Sequence, residues 1–382
     1  MSQATSLRFK SNLLVCLISV TPLFINLLTK ESIATNLIKI LSILLAIAFR
    51  EKSKDELSDR DTSILYFFVL VAFLQFSNFV NSCPLQLNLY FHLFWFFYIF
   101  SQSWFRKSIL ESSLIFVQFT CLVSILLVVF HISPNNLSLS SNGYFVPLTD
   151  FLKLSYRQQG IFSHPNTYSL YCFILIALAI IVKNRISKFW LLVALFGLLV
   201  SGSRTFQYLS LLLIFFQLRY YVVKKFDYRL KFRAVYFTYL FLVSFLFFLE
   251  FTNIPSVNED SFTGRYGIWV ICLRELSPQI IYGLGSNYSD RFTNLGLLPS
   301  NANSVHSLYL DPLISGGLIG CLLFICFLNR LIRNASTFNP NYRFIFVCIL
   351  ISGVSETIWS ASSFSIISII FAYFSRRRSL DD

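Results

Sequence analysis

Charged side chains are scarce in this 382-residue chain: Asp, Glu, Lys and Arg make up 13% of it, where a soluble domain carries roughly a quarter. That shortage excludes an ordinary water-soluble globule. Metal-ligand spacing is missing as well. The eight cysteines stand singly, six of them inside apolar runs (Cys16, Cys121, Cys172, Cys321, Cys326, Cys348), and only Cys83 and Cys272 are placed to face the outside. Neither a metal site nor a structural disulfide is therefore expected. No repeat of fixed period and no linker divides the chain, which reads as a single domain over 1–382. No small-residue cleavage site follows the first apolar run, so residues 12–28 read as a retained first span.

What the chain has is apolar length. Hydrophobic residues make up 55% and aromatics 18%. Apolar runs of about 17 to 25 residues recur throughout, each long enough to cross a hydrocarbon core of ~30 Å. The pattern predicts spans near 12–28, 33–49, 62–80, 86–101, 109–132, 167–182, 189–203, 205–222, 234–251, 307–329, 343–358 and 360–375. The expected fold is an all-α integral membrane protein of about twelve transmembrane helices, with a long loop before the tenth. The many phenylalanines read as lipid-facing bulk.

The formal net charge of +13 suggests nucleic acid until the positive residues are placed. Twenty-three of the 31 Lys and Arg residues fall on one side of the predicted topology, in the segments around Arg8, Arg50 to Arg60, Arg106, Lys183 to Lys188, Arg219 to Arg233, Arg330 to Arg343 and Arg376 to Arg378. The other side holds seven: Lys30, Lys153, Arg157, Arg204, Arg265, Arg274 and Arg291. The rich side is cytoplasmic by the positive-inside rule, which puts both termini inside. The surplus is an orientation signal, and no nucleic-acid partner is expected.

Two outer loops are long, about 133–166 and 252–305. Most outer arginines gather in or beside the second, or at the Ser201-Gly202-Ser203-Arg204 tip. Arginines concentrated this way suit an anion, although lipid head groups would hold them too. Only about 15 residues, roughly 23 Å of helix, separate Lys188 from Arg204. A core of ~30 Å then leaves Arg204 recessed, where an arginine is costly unless it meets a wet cavity or an anion.

Four segments carry a resemblance. Arg157-Gln158-Gln159-Gly160-Ile161-Phe162-Ser163-His164-Pro165-Asn166 resembles the R-x-x-G-x-F-x-x-P-N start of a span in the O-antigen polymerase and ligase superfamily. Ser201-Gly202-Ser203-Arg204-Thr205 is similar to its S-x-S-R-[ST] turn. Gly264-Arg265 with Trp269, Pro278 and Gly283-Leu284-Gly285 resembles its main loop, and His306-Ser307 with Leu310, Gly317 and Gly320 resembles the helix that follows. The likeness covers residues 157–328; Ser307 stands where the family usually has Asn. It implies a GT-C-like fold in the bacterial inner membrane. It also implies a metal-independent inverting glycosyltransferase whose donor is a glycan on undecaprenyl diphosphate, working on the periplasmic face without a cofactor. A flippase or chain-length regulator is a further expected partner besides membrane lipids. The family's diphosphate-holding arginines carry over to Arg204 and Arg265, and its loop histidine to His306.

The chemistry agrees with those residue types. A leaving diphosphate without a metal needs arginines, whose planar fork binds phosphate oxygens in pairs and keeps its charge. A histidine near its ordinary pKa suits a general base for the acceptor hydroxyl. On the outer face no carboxylates cluster at ligand spacing. Arg157, Arg274, Arg291, Asp311 and Glu356 are candidate substrate-binding residues. Each has a plainer reading: arginines anchor interfaces, Asp311 could pair with an arginine structurally, and His306 could simply cap a helix. His164 reads as the start of a helix with Pro165 at its first position. His92 and His131 read as core or interfacial, and Gly316 and Gly320 as helix packing. Two alternatives stay open beside a polymerase of glycan repeats. One is a ligase moving finished glycan to lipid A-core or another acceptor; the other is a lipid-linked sugar flippase or carrier.

Overall fold

The structure is a computed structural model that describes residues 3–16, 32–49, 62–84, 86–101, 103–130, 158–162, 164–183, 186–222, 265–295, 305, 307–338, 340–353 and 366–374. Every element among them is helical, and they contain no strand. In order these are α1 (Gln3–Val15), α2 (Ser32–Ala48), α3 (Thr62–Val80), α4 (Leu87–Ser101), α5 (Ser103–Val129), α6 (Pro165–Lys183) and α7 (Lys188–Ser201). There follow α8 (Arg204–Val222), α9 (Arg265–Leu276), a 3-10 turn (Ser277–Gln279), α10 (Tyr288–Asn294), α11 (Leu310–Phe338), α12 (Pro340–Ser352) and α13 (Ile366–Phe374).

Helix is what such sequences must form in lipid, where peptide groups find partners only within their own segment or a closed sheet. Three stretches are long and apolar enough to cross a membrane: Ser108–Val129 in α5, Pro165–Val182 in α6 and Leu310–Ala335 in α11. Helix α6 lies at the centre, buried from Tyr168 to Ile181 and packed by α5, α7, α8 and α12. Helix α11 runs along α3 and also meets α9, α12 and α13. Large apolar side chains such as Leu44, Phe79, Phe119, Leu192 and Phe215 point outward. A surface of that kind suits lipid rather than water.

Most expected boundaries fall close to the helices found, with three corrections. First, α1 begins at Gln3 rather than at 12; residues 17–31 and the expected span 234–251 lie outside the described residues. Second, the phenylalanines are not simply lipid-facing. Phe67, Phe96 and Phe327 are fully buried where α3, α4 and α11 meet, with ring centroids 4.1 to 5.8 Å apart. Helices in lipid gain little from hiding apolar surface, so shape-filling contact between them carries the association.

Third, the 252–305 segment, expected to be an irregular loop, contains α9 and α10 and a core of its own. Trp269, Cys272, Leu273, Leu276, Leu284, Tyr288 and Phe292 bury against Val305, Leu310, Leu313 and Ile314. Helical spacing of Trp269, Cys272, Leu273 and Leu276 puts one apolar stripe on the base, the periodicity of an amphipathic helix. Cys272, expected to face outward, is wholly buried there. Burial, with the nearby charges of Asp311 and Glu275, pushes its thiol up to about 12. None of the eight cysteines forms a disulfide.

Candidate functional site

Helix α11 is broken near its start, and the break is where the 265–295 segment is built in. Gly317 has φ 62° and ψ −161°, a non-helical conformation inside the helix. In an unbroken helix the N–H groups of Leu318 and Ile319 would reach Ile314 O and Ser315 O. Here they donate instead to Ile280 O (2.8 Å) and Ile281 O (3.3 Å). The released carbonyls accept from the same segment, Ile314 O from Leu284 N (2.8 Å) and Ser315 O from Gly285 N (3.0 Å). Residues 280–285 thus take over these four hydrogen bonds that the helix gives up, so these groups at the break do not need water.

The C-terminal end of α3 clamps this insertion from the other side. Ser77 Oγ donates to Ser315 O (2.7 Å) and Asn81 Nδ2 to Gly283 O (3.0 Å). Asn78 Oδ1 accepts from Ser286 N (2.6 Å) and Ser286 Oγ (3.0 Å), while Asn78 Nδ2 donates to Gln75 Oε1 (3.2 Å). Gln86, just before α4, exchanges hydrogen bonds with Gln75 and donates to Asn287 Oδ1. Gly316 and Gly320 face α3, as the helix-packing expectation required, and a Cβ on Gly316 would lie 2.9 Å from Leu74 Cδ2.

A third set of contacts holds the chain just before α11. Trp269 Nε1 donates to Val305 O (2.6 Å), and Val305 N donates to the Tyr288 hydroxyl (3.3 Å). That hydroxyl donates to Asp311 Oδ1 (2.7 Å). Burial first, then the Asp311 charge beside it, raises Tyr288 well above the ordinary phenol range, so it remains a donor. Past residue 306, Ser307 Oγ accepts from Tyr309 N and Leu310 N (both 3.4 Å), a cap at the start of α11. Leu308 N donates to Gly353 O (2.7 Å) at the end of α12.

The other two motif segments meet each other as well. Helix α7 ends in Gly202, a left-handed cap (φ 65°) whose N–H donates to Leu198 O (3.3 Å). Ser201 Oγ bonds Ser169 Oγ on α6, and Gln207 Nε2 donates to Leu198 O (2.8 Å). Arg204 is the first residue of α8, directly after this turn. The 158–162 segment docks beside it, with Gln158 N donating to Val200 O (3.0 Å) and Ile161 N to Ser124 Oγ (3.3 Å). Pro165 opens α6 as expected, and His164 Nδ1 accepts from Asn166 N (3.1 Å). Helix α12 packs on both α8 and α11 and so links the two assemblies.

Of the candidate residues, Arg204 and Arg265 open α8 and α9. Arg274, in the last turn of α9, and Arg291, in α10, are exposed. Asp311 is buried in the first turn of α11, with the Tyr288 hydroxyl as its side-chain partner among the described residues. That hydroxyl satisfies one oxygen of the buried carboxylate. Arg157, His306 and Glu356 lie outside the described residues, as does His131; His92 is core. Sequence reasoning missed Tyr288 and the polar end of α3. The signal was present in Gln75, Ser77, Asn78 and Asn81, four polar residues within seven positions at the end of an apolar run. No family model matches this chain, and no curated protein matches it either.

Proposed function

We propose that this chain is a polytopic inner-membrane glycosyltransferase with about twelve transmembrane helices and a GT-C-like fold. It transfers glycan from an undecaprenyl diphosphate-linked donor on the periplasmic face, with both termini cytoplasmic. Polymerisation of polysaccharide repeat units is the preferred reaction. Arg204 and Arg265 neutralise the leaving diphosphate, and His306 takes the proton of the acceptor hydroxyl as the new glycosidic bond forms. Arg157, Arg274, Arg291, Asp311 and Glu356 remain candidates for contacts to substrate.

One observation carries the reading. The described parts of the four motif segments fold into two assemblies, one joining residues 158–162 to the Gly202 turn before Arg204, the other joining residues 265–295 to Val305 and the start of α11. Lipid-headgroup binding alone requires no such construction. The one Asp-x-Asp triplet of the chain, Asp59-Arg60-Asp61, lies in the basic 50–60 loop, on the opposite face in this topology.

A flippase or carrier draws support from the broken α11, because interrupted helices hold ligands in many carriers. There the freed backbone groups face the ligand. Here the 280–285 segment takes up Ile314 O, Ser315 O, Leu318 N and Ile319 N, which favours a loop-anchoring role for the break.

Two tests follow. An impermeant thiol reagent applied to intact cells is expected to label a cysteine at position 290 and not one at 228, on a background lacking native cysteines; the reverse pattern refutes the orientation. A deletion strain is expected to leave single repeats on the acceptor lipid. An acceptor without any glycan assigns the ligase reaction, and an unchanged glycan ladder removes both.

A further inference from the structure

We infer that Tyr288 is a positioning residue for the transfer reaction, its hydroxyl bridging Val305 and Asp311 and so tying α10 to the described residues on either side of position 306. The inference rests on the transferase reading above. Val305 is held at both ends of its polar inventory, its N–H by Tyr288 and its carbonyl by Trp269. On the far side, Ser307 caps α11 and Leu308 binds Gly353. Four separate elements, α9, α10, α11 and the end of α12, therefore fix the residues flanking position 306.

Stability alone would not select this arrangement. A phenylalanine at 288 and an apolar residue at 311 would fill the same volume without buried polar groups to satisfy. An acidic residue near the mouth of a span is costly and is kept where it has a job. The hydroxyl of Tyr288 uses both its capacities, donating to Asp311 and accepting from Val305, and so ties the place of Val305 to α10 and to the start of α11. A general base gains its rate from placement, and a misplacement of about 1 Å can cost on the order of a hundred-fold.

The test uses the full chain in proteoliposomes with a lipid-diphosphate-linked glycan as donor. Tyr288→Phe keeps the ring and removes both hydrogen bonds. Its kcat is expected to fall on the order of ten- to a hundred-fold, while the donor KM stays near that of the unaltered chain, because the diphosphate is held elsewhere. Asp311→Asn, whose amide oxygen still accepts from Tyr288, is expected to retain more turnover than Asp311→Ala. Cys272, buried in the same core, reports the loop fold by its protection from a thiol reagent, which Tyr288→Phe is expected to preserve. Full kcat in Tyr288→Phe overturns the inference, and so does lost turnover accompanied by exposure of Cys272, since Tyr288 would then hold the loop rather than residue 306. If Tyr288→Phe fails to accumulate, the Asp311 pair decides: equal turnover in Asn and Ala overturns it. Full turnover in Arg204→Ala removes the transferase reading itself, whereas a dead Arg204→Ala beside an unimpaired Tyr288→Phe removes only the positioning role.

Discussion

Alanine in place of Arg204 or Arg265 is expected to abolish glycan extension while the protein still inserts and accumulates. Each arginine opens a helix, α8 or α9, and Arg204 follows directly on the Gly202 turn. Helix α7, behind Arg204, has 14 residues, about 21 Å at 1.5 Å per residue. That length falls short of a hydrocarbon core of ~30 Å; in the proposed topology the turn before Arg204 is therefore recessed, where charge is expensive without an anion. A fixed positive donor aimed at developing charge contributes about 3 to 4 kcal/mol where measured, or roughly 10²- to 10³-fold in rate. Arg204→Lys keeps the charge and loses the paired geometry, so it should be severely impaired rather than neutral. Two arginines on one diphosphate act as a unit, and their losses should combine less than additively. His306→Ala should lower turnover and spare donor binding, because a base acts on the acceptor. Lipid-linked product, with donor binding assayed separately, checks all of these; full activity in Arg204→Ala would sink the site.

The second large effect concerns the break in α11. At φ 62° and ψ −161°, Gly317 occupies a region open essentially to glycine, where another residue costs about 1 to 3 kcal/mol. A Cβ there would also lie 2.4 Å from Ile281 O and 2.6 Å from Gly283 N. Gly283 meets the same contact from the other side, its Cβ falling 2.4 Å from Gly317 N. Either alanine forces the two strands of backbone apart and strands several of the exchanged hydrogen bonds, each unsatisfied group costing about 1 to 3 kcal/mol. Gly317→Ala and Gly283→Ala are therefore expected to lower the thermal midpoint of the purified protein sharply or to prevent accumulation. Gly267 is the control: it lies in α9 and a Cβ there meets nothing within 4 Å, so Gly267→Ala should leave stability unchanged or raise it by up to about 1 kcal/mol. Equal midpoints for Gly267→Ala and Gly317→Ala would contradict the exchanged-bond geometry.

How much of this was legible in the sequence depends on which interactions decide each element. Helices α2 to α8 could be bounded closely because apolar length and charged or proline boundaries set them locally. The Ser201-Gly202-Ser203-Arg204 turn and the Pro165 helix start follow from cap chemistry that involves only neighbours in sequence. The break at Gly317 was hidden, because Gly316-Gly317 sits in a stretch whose apolar length reads as one helix and its partner segment lies some thirty residues upstream. Helix α9 was hidden by Gly267 and by the arginine at its start, which read as loop. Its apolar stripe, Trp269, Cys272, Leu273 and Leu276, was nonetheless at helical spacing. The α3 clamp pairs residues about 200 positions apart, a distance over which one sequence gives no pairing information. Tyr288 illustrates the same limit: its worth lies in meeting Asp311 and Val305 together, which only the folded chain does.

The central claim is that this chain makes a glycosidic bond at the expense of a lipid diphosphate. The most direct measurement is a reconstituted reaction with the purified full chain and a defined undecaprenyl diphosphate-linked glycan, following glycan length and free undecaprenyl diphosphate together. The account predicts a lengthened glycan, one undecaprenyl diphosphate released for each bond formed, and loss of both in Arg204→Ala. Donor that crosses the bilayer intact, with no new bond and no released diphosphate, would contradict the account and assign the chain to transport.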